Sequence, residues 1–431
     1  MLIYVDQVTE RLQYTLEFIF TGHGLNYRCT NDREEFLNGL DPRLNYSDWE
    51  LDSGVHFKPS GLLFEDTIQT DLRIEKALWN SVPMLRINEQ EDPFAAIFYV
   101  LSRYEEYVDK RRDSHGRFEA SSSVLYQFGW LQLQIVEHWT VAIIRVFAPQ
   151  LSEQLNNMRT VEVIPSFDID NTFAYKWKKG WRKQLSVLKD YLKKNTLRLA
   201  ERKQVNSGTI RDPFDTFAQI EAIALRFPQT RIFWHLGDYG KYDRNIPWHD
   251  PRHQRLIRNM SKVAKVGLHP GYNSNLSDKA LAEEQKRLQA ILGSPVTSSR
   301  QHFLKLHLPE TYRRLMELGF KKDFTMGYAD QPGFRAGTAH SFFFFDLDKN
   351  VQTDYQIFPF VYMDGTFHEY LDLSIDESKA VVSGLVREIR RYGGNCCFIW
   401  HNETIGTTPK WLGWSELLEY TLTLFKDEFT S

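Results

Sequence analysis

From about residue 160 onward, short apolar runs alternate with longer stretches in which apolar residues recur every three or four positions. The first pattern is typical of buried strands and the second of amphipathic helices. Residues 231–236 form the clearest strand, and helices are predicted over 215–227, 281–292 and 374–392. Glycines directly follow the last two of these helices and are expected to end them. Repeated strand–helix units predict an α/β fold with a parallel sheet.

The N-terminal part of the chain follows a different pattern. It opens with a strand and an amphipathic helix, and the apolar run after Asp92 is predicted to be a helix with Pro93 in its first turn. We therefore predict a smaller α/β domain over residues 1–155 and a larger domain over residues 156–431. The smaller domain could recognise substrate, form a dimer or support the larger domain structurally. We favour structural support.

Three strand-like runs of the larger domain end in residues that commonly bind metals. Asp168 and Asp170 lie on the same side of one strand, and two such close carboxylates repel each other unless a positive charge lies beside them. The second run ends at His269 and the third at His401. A lone Asp-x-Asp is more often a turn, and a lone histidine at a strand end is more often structural. Together, however, they favour one metal site at the carboxyl edge of a parallel sheet or barrel.

The composition suits an enzyme and argues against several other classes. With 431 residues, 42% hydrophobic and 14% aromatic, the chain can bury large cores and is expected to form about two domains. Two of its three cysteines are adjacent in a predicted buried strand, so a disulfide framework is not expected. The first residues lack the pattern of a signal peptide, and no apolar stretch is long enough to span a bilayer. A cytoplasmic location is expected.

Five short motifs, taken in order, resemble those of the polysaccharide deacetylases, carbohydrate esterase family 4, which include the nodulation-type chitooligosaccharide deacetylases. The resemblance covers about residues 160–405. It rests on the following segments: 166–170, 269–274, 299–303, 318–323 and 399–401. For the fold, it implies that the larger domain is a distorted, incomplete (β/α) barrel.

The resemblance also implies a role for each matching residue. Asp168 would be the general base, and Asp170 and His269 would be metal ligands. Arg300 would steady the base. The last motif would supply His401 as general acid, together with an apolar residue lining the acetyl pocket, for which Trp400 is a candidate substrate contact.

The chain departs from the family pattern at one metal ligand. The second motif of the family usually has two histidines four residues apart, and here the later position is Asn273. A ligand set of Asp170, His269 and Asn273 is predicted to bind zinc more weakly, because an amide oxygen is neutral and harder than imidazole. Ser274 and His302 are alternatives for the third ligand, and His302 could instead contact the substrate.

The arginine that steadies the base also has an alternative. The third motif lacks the proline that commonly follows its arginine. Arg335 lies in a second glycine-flanked segment and could approach the acidic pair instead of Arg300.

A basic segment follows the acidic pair. Residues 176–203 contain many lysines and arginines interleaved with tryptophan and tyrosine. Such a segment can contact anionic lipid headgroups, or an acidic or lipid-linked glycan. It can equally be a solvated helical face. No motif supports nucleic-acid binding. Two interpretations of the segment therefore stay open: a peripheral contact at the inner face of the membrane, and a solvated helical face.

The sequence therefore predicts a metal-dependent hydrolase that removes N-acetyl groups from an amino sugar in a surface polysaccharide or its precursor. Zinc is the expected metal, with cobalt, nickel, manganese and iron as alternatives. The alternative function is a catalytically inactive glycan-binding or scaffold protein in envelope polysaccharide assembly, for which Asn273 is the best support. A weaker one is hydrolysis of another C–N bond, such as that of a cyclic amide or a ureide.

Overall fold

The computed structural model describes residues 1–151, 159–178 and 180–425. The chain divides into two compact units, each assembled from segments that are far apart in the sequence. The first unit comprises Met1–Glu162, Leu306–Val361 and Gly384–Cys396. The second comprises Val163–Lys305, Tyr362–Ser383 and the residues from Cys397 onward.

The strands are numbered in chain order. They are β1 (Leu2–Val5), β2 (Arg28–Thr30), β3 (Arg43–Tyr46), β4 (Val55–Phe57), β5 (Ile74–Trp79), β6 (Val82–Ile87), β7 (Gln90–Glu91), β8 (Val161–Ile169), β9 (Arg231–Trp234), β10 (Lys265–Leu268), β11 (Ser298–Ser299), β12 (Lys322–Asp323), β13 (Phe342–Asp346), β14 (Val351–Ile357), β15 (Tyr362–Met363) and β16 (Gly394–His401).

The α-helices lie between these strands, except for the last, which follows β16. They are Glu10–Ile19, Arg33–Leu37, Pro93–Leu101, Tyr104–Val108, Val124–Gln127, Ile135–Phe147, Gly180–Leu192, Thr196–Ser207, Phe217–Arg226, Pro251–Met260, Asp278–Leu292, Glu310–Glu317, Ile375–Tyr392 and Ser415–Thr423. No described helix combines the length and the apolar character that a membrane span requires.

The first unit contains sheets of both kinds. β1 to β4 form a parallel sheet in the order β2-β1-β3-β4, whereas β5, β6 and β7 form an antiparallel sheet. The predicted helix after Asp92 is confirmed as Pro93–Leu101. The Asp92 carboxylate accepts the backbone N–H groups of Phe94 and Ala95, which satisfies two of the donors that every helix start leaves unpaired. The predicted α/β character of the N-terminal residues is confirmed.

The second unit is built on six neighbouring strands in the order β11-β10-β9-β8-β16-β15. The pairs β8–β9, β9–β10, β10–β11 and β15–β16 are all parallel. β9 is buried throughout, and the three residues after Arg231 are apolar, as expected for a strand covered on both faces. The α/β class with a parallel sheet is therefore confirmed. The carboxyl ends of parallel strands meet at one edge, and the connecting loops begin there.

The helices predicted in this half of the chain are also confirmed, with no boundary shifted by more than three residues. They are observed at Phe217–Arg226, Asp278–Leu292 and Ile375–Tyr392. Gly293 ends the second of them with a positive φ of 71°, a conformation that costs glycine little.

Only part of the basic segment 176–203 can be described. Lys179 and the side chains of residues 180–183, 185 and 186 lie outside the described residues. The described part contains large exposed apolar side chains at Tyr191, Leu192 and Leu197. Arg202, by contrast, is buried and binds Asp190 at 2.6 Å. The basic residues of this segment therefore do not all face solvent.

Candidate functional site

Polar side chains gather at the carboxyl ends of the six strands of the second unit. Asp168 lies near the end of β8 and Asp170 directly follows this strand. The residues that follow β9, β10 and β15 are His235, His269 and Asp364, and β16 ends at His401 itself. β11 is followed by Arg300 and, after one further residue, His302. The neighbouring strands β8 and β16 thus bring together residues far apart in the sequence, such as Asp170 and His401, whose Oδ2 and Nε2 atoms are 3.8 Å apart.

Two imidazole rings face the carboxylate of Asp170. Nε2 of His269 lies 3.1 Å from Oδ1, and Nε2 of His302 lies 3.3 Å from Oδ2. One donor atom from each of these three residues lies within 4.8 Å of the others. Oδ1 of Asp170 is buried and accepts no well-aligned hydrogen bond from the described residues, so it is available to a ligand.

In each ring, the partner of the nitrogen that faces away from Asp170 identifies the tautomer. Nδ1 of His269 is 2.7 Å from the backbone oxygen of Arg300, and Nδ1 of His302 is 3.0 Å from Oδ1 of Asp243. Both oxygens can only accept, so Nδ1 carries a proton and the neutral ring has its lone pair on Nε2. Two lone pairs facing a carboxylate require a positive charge nearby. Histidine with its other nitrogen bound to a carboxylate or carbonyl is the common arrangement of metal-binding imidazoles.

The pKa values reflect the same need for positive charge. Burial opposes ionisation of Asp170, yet His302 and His269 hold its pKa well below the ordinary value. Burial likewise opposes protonation of His302, but Asp170 and Asp243 raise its pKa to about 9. Without another cation, a proton on His302 balances the carboxylates. A divalent ion would replace that proton.

Asp168 is held by Arg300. Nη1 of Arg300 donates to Oδ1 of Asp168 at 2.9 Å, and both side chains are buried. The guanidinium also lies 4.4 Å from the ring centre of Phe233. The second carboxylate oxygen, Oδ2, is 3.9 Å from Nε2 of His269 and therefore lies on the side of the group formed by Asp170, His269 and His302. Arg335, the alternative arginine, instead forms a two-pronged ion pair with Glu106 in the first unit, at 2.9 and 2.7 Å.

His401 is oriented by Asp364. Its Nδ1 is 3.0 Å from both carboxylate oxygens of Asp364, and its backbone N–H donates to one of them at 2.8 Å. Burial lowers the pKa of His401, but Asp364 raises it well above the ordinary value. The imidazolium is thereby stabilised, with Nε2 directed toward Asp170. This is the state that a proton donor needs.

Three other predicted site residues have the following surroundings. Asn273 precedes the short 3₁₀ turn Ser274–Leu276 in the loop after β10. Ser274 donates its hydroxyl to the buried carboxylate of Glu284. Trp400 is fully buried within β16. Their roles in binding remain predictions.

Several residues of the site were not predicted from the sequence. His235 and Asp364 follow the same strand-end rule as the predicted residues, but the strand before Asp364 has only two residues and gives almost no pattern. Asp243 lies in a loop, where no periodicity indicates its position. Glu403, two residues after His401, has a pKa raised to about 7 by burial and by the charge of Asp170.

The comparisons with known proteins give one family model and several weak structural likenesses. The family model "Family of unknown function (DUF7033)" matches residues 1–151. No curated protein sequence is a significant match. Among solved structures, similarity is found to Puue allantoinase, with 11% identity, 62% of this chain and 84% of that chain covered, and a TM-score of 0.37.

Two further solved structures carry deacetylase or esterase names. A polysaccharide deacetylase from Bacillus cereus has 11% identity, with 63% of this chain and 88% of that chain covered and a TM-score of 0.29. A family 4 carbohydrate esterase from Streptomyces lividans, in complex with acetate, has 10% identity, 62% and 89% coverage and a TM-score of 0.28. These likenesses are weak, so the functional argument below rests on the motifs and on the geometry of the site.

Proposed function

We propose that this protein is a metal-dependent N-deacetylase acting on an amino sugar of a surface polysaccharide or its precursor. One observation carries the proposal. A metal-binding group, a carboxylate held by arginine and a histidine held by carboxylate meet at one sheet edge, at Asp170, Asp168 and His401 respectively. Amide hydrolysis requires these three functions together: activation of water and carbonyl, a base and an acid.

The donor set fits a divalent transition metal. Two imidazole nitrogens and one carboxylate oxygen, from His269, His302 and Asp170, form the three-ligand set of many catalytic zinc sites, and the same set also suits iron. In this proposal His302, rather than Asn273, is the third ligand. When bound, the metal would polarise the amide carbonyl and lower the pKa of water toward about 7.

Asp168 is the proposed base. Arg300 donates a hydrogen bond to one of its oxygens, while the other oxygen remains directed to the site. It would take a proton from the water that attacks the acetyl carbonyl. Because Arg300 is buried and its Nη2 also donates to Sγ of Cys397 in β16, the carboxylate is held in one orientation.

His401 is the proposed acid. After water has added to the carbonyl carbon, the C–N bond breaks and the amine nitrogen must receive a proton. Nε2 of His401 would supply it, while Asp364 holds Nδ1–H and stabilises the imidazolium before the transfer. The products are acetate and the free amino sugar.

The choice of an N-acetylated sugar is supported by the order of the motifs, which resembles that of polysaccharide deacetylases. The test is acetate release from N-acetylated chitooligosaccharides and bacterial glycan fragments by the zinc-loaded protein. Asp168→Asn, nearly identical in shape, is the matched control, and it should retain zinc but release almost no acetate. A folded, zinc-containing protein that binds these glycans but never releases acetate would favour the glycan-binding function instead.

We further propose that the basic segment 176–203 brings the protein to the inner face of the membrane, where a lipid-linked glycan is available. Exposed apolar side chains at Tyr191, Leu192 and Leu197 accompany the basic residues, as in helices that lie at lipid interfaces. Each lysine or arginine near anionic headgroups contributes about 1 kcal/mol.

Co-sedimentation with vesicles containing phosphatidylserine tests this contact. Wild-type protein should co-sediment at low salt and be released as salt rises, because exposed charges are screened within about 10 Å. Changing Lys178, Lys179, Arg182 and Lys183 to glutamine should abolish binding. Failure of the wild type to bind at low salt would identify the segment as a solvated helical face.

A further inference from the structure

A second group of possible metal ligands lies in the first unit. His23 belongs to the short turn Thr21–His23, Glu137 to the first turn of the helix Ile135–Phe147, and His340 to the segment before β13. One ring nitrogen of each histidine and one carboxylate oxygen of Glu137 lie within 4.8 Å of one another. The closest pair is Nε2 of His23 and Oε2 of Glu137, at 2.9 Å.

The carboxylate of Glu137 is almost completely buried, with 1% of its side chain exposed. Its other oxygen, Oε1, accepts the hydroxyl of Thr338 at 2.7 Å. An ionised carboxylate in this position requires a positive partner, since burial without one strongly disfavours the charge.

Both imidazole rings are oriented by backbone carbonyl groups. Nδ1 of His23 is 3.1 Å from the oxygen of Phe18, and Nε2 of His340 is 3.2 Å from the oxygen of Tyr392. A carbonyl only accepts, so these nitrogens carry the protons, and the neutral rings have their lone pairs on Nε2 of His23 and Nδ1 of His340. Metal-binding histidines are commonly oriented in this way.

A proton on one ring would balance the single negative charge of Glu137, whereas protons on both rings would leave an excess positive charge. The ring centres of His23 and His340 are only 5.4 Å apart, so two imidazolium ions would repel each other. A single divalent ion satisfies both rings and Glu137 at once. The side chain of His23 is 13% exposed, which provides a path for the ion from solvent.

We propose that His23, Glu137 and His340 form a second metal site, of the zinc type, in the first unit. Two imidazoles and a carboxylate suit zinc, and a metal joining a turn, a helix and a segment before a strand would stabilise the unit. This site is independent of the proposed deacetylase activity. It uses none of the residues at the sheet edge of the second unit.

The test uses the full chain carrying Asp170→Ala and His269→Ala, so that the site in the second unit is removed. After zinc loading and dialysis, elemental analysis should find about one zinc per chain. Adding His23→Gln or His340→Gln should reduce this to background. His138→Gln is the matched control, because His138 pairs with Glu388 at 3.1 Å and joins no group of three metal-binding side chains among the described residues. It should retain zinc.

Two results would overturn the proposal. One is a folded background variant that binds no zinc, and the other is equal zinc retention by the His23→Gln and His138→Gln variants. Either result would identify the group as an ion pair. If a variant fails to fold, the unmodified chain can be treated with diethyl pyrocarbonate. Zinc should protect His23 and His340 but not His138, and equal modification of all three would also refute the site.

Discussion

His302 is the residue whose replacement tests the candidate active site most directly. We predict that His302→Gln strongly weakens zinc binding in the second unit, because it removes one of the three ligand atoms proposed for the metal, those of Asp170, His269 and His302. Glutamine keeps a side-chain amide that can still donate to Asp243, so the buried carboxylate is not left without a partner. The measured loss should therefore report on the metal rather than on the fold.

The magnitude follows from the position of His302 in the site. Removing a group that orients a metal ligand typically lowers affinity 10- to 100-fold, and Asp243→Asn is a change of that kind. It should cost about 1.4–2.7 kcal/mol of binding free energy, at 1.36 kcal/mol for each factor of ten. Loss of the ligand itself should exceed this range, so His302→Gln should weaken binding by more than about 100-fold.

Competition with a chromogenic chelator measures these affinities. All variants should carry His23→Gln, so that the site in the first unit does not contribute, and circular dichroism should show that each is folded. Asn273→Ala is the matched control, since the sequence offered Asn273 as the alternative ligand. An affinity unchanged by His302→Gln but lowered by Asn273→Ala would refute the reasoning.

Three further predictions follow from single contacts. Asp364→Asn should move the basic limb of the pH–rate profile to lower pH, because Asp364 raises the pKa of His401 and the proton donor must stay protonated; an unmoved limb would exclude this role for His401. Glu106→Gln breaks the buried ion pairs with Arg103 and Arg335 and should lower the free energy of unfolding by about 3–5 kcal/mol in urea titrations; a loss below about 1 kcal/mol would contradict it. Asn273→His should raise zinc affinity if position 273 faces the metal, and equal chelator titrations for variant and wild type would show that it does not.

The residues at strand ends could be predicted because the information is local. Alternation along β8 puts Asp168 and Asp170 on one side, and an apolar run followed by a histidine marks the ends of β10 and β16. The start of the helix at Pro93 was equally local, since a capping aspartate and a proline specify it. Such patterns depend only on neighbours a few positions away.

Other residues were beyond the reach of sequence patterns. Asp243 and Asp364 act through contacts with His302 and His401 that span 59 and 37 positions. The choice between Arg300 and Arg335 also depended on distant partners. The residues next to each arginine in the sequence do not show which of the two pairs with Asp168. Only the position of Glu106 in the first unit shows that Arg335 is already paired.

The sequence by itself thus determined the α/β class and three strand ends that carry carboxylate or imidazole side chains, since hydrophobic periodicity and capping are short-range properties. The tertiary structure alone decided which imidazole completes the group around Asp170 and which carboxylates orient the histidines. Those partners come from loops, whose course is set by the packing of the strands and helices they connect, and not by any repeat in their own residues.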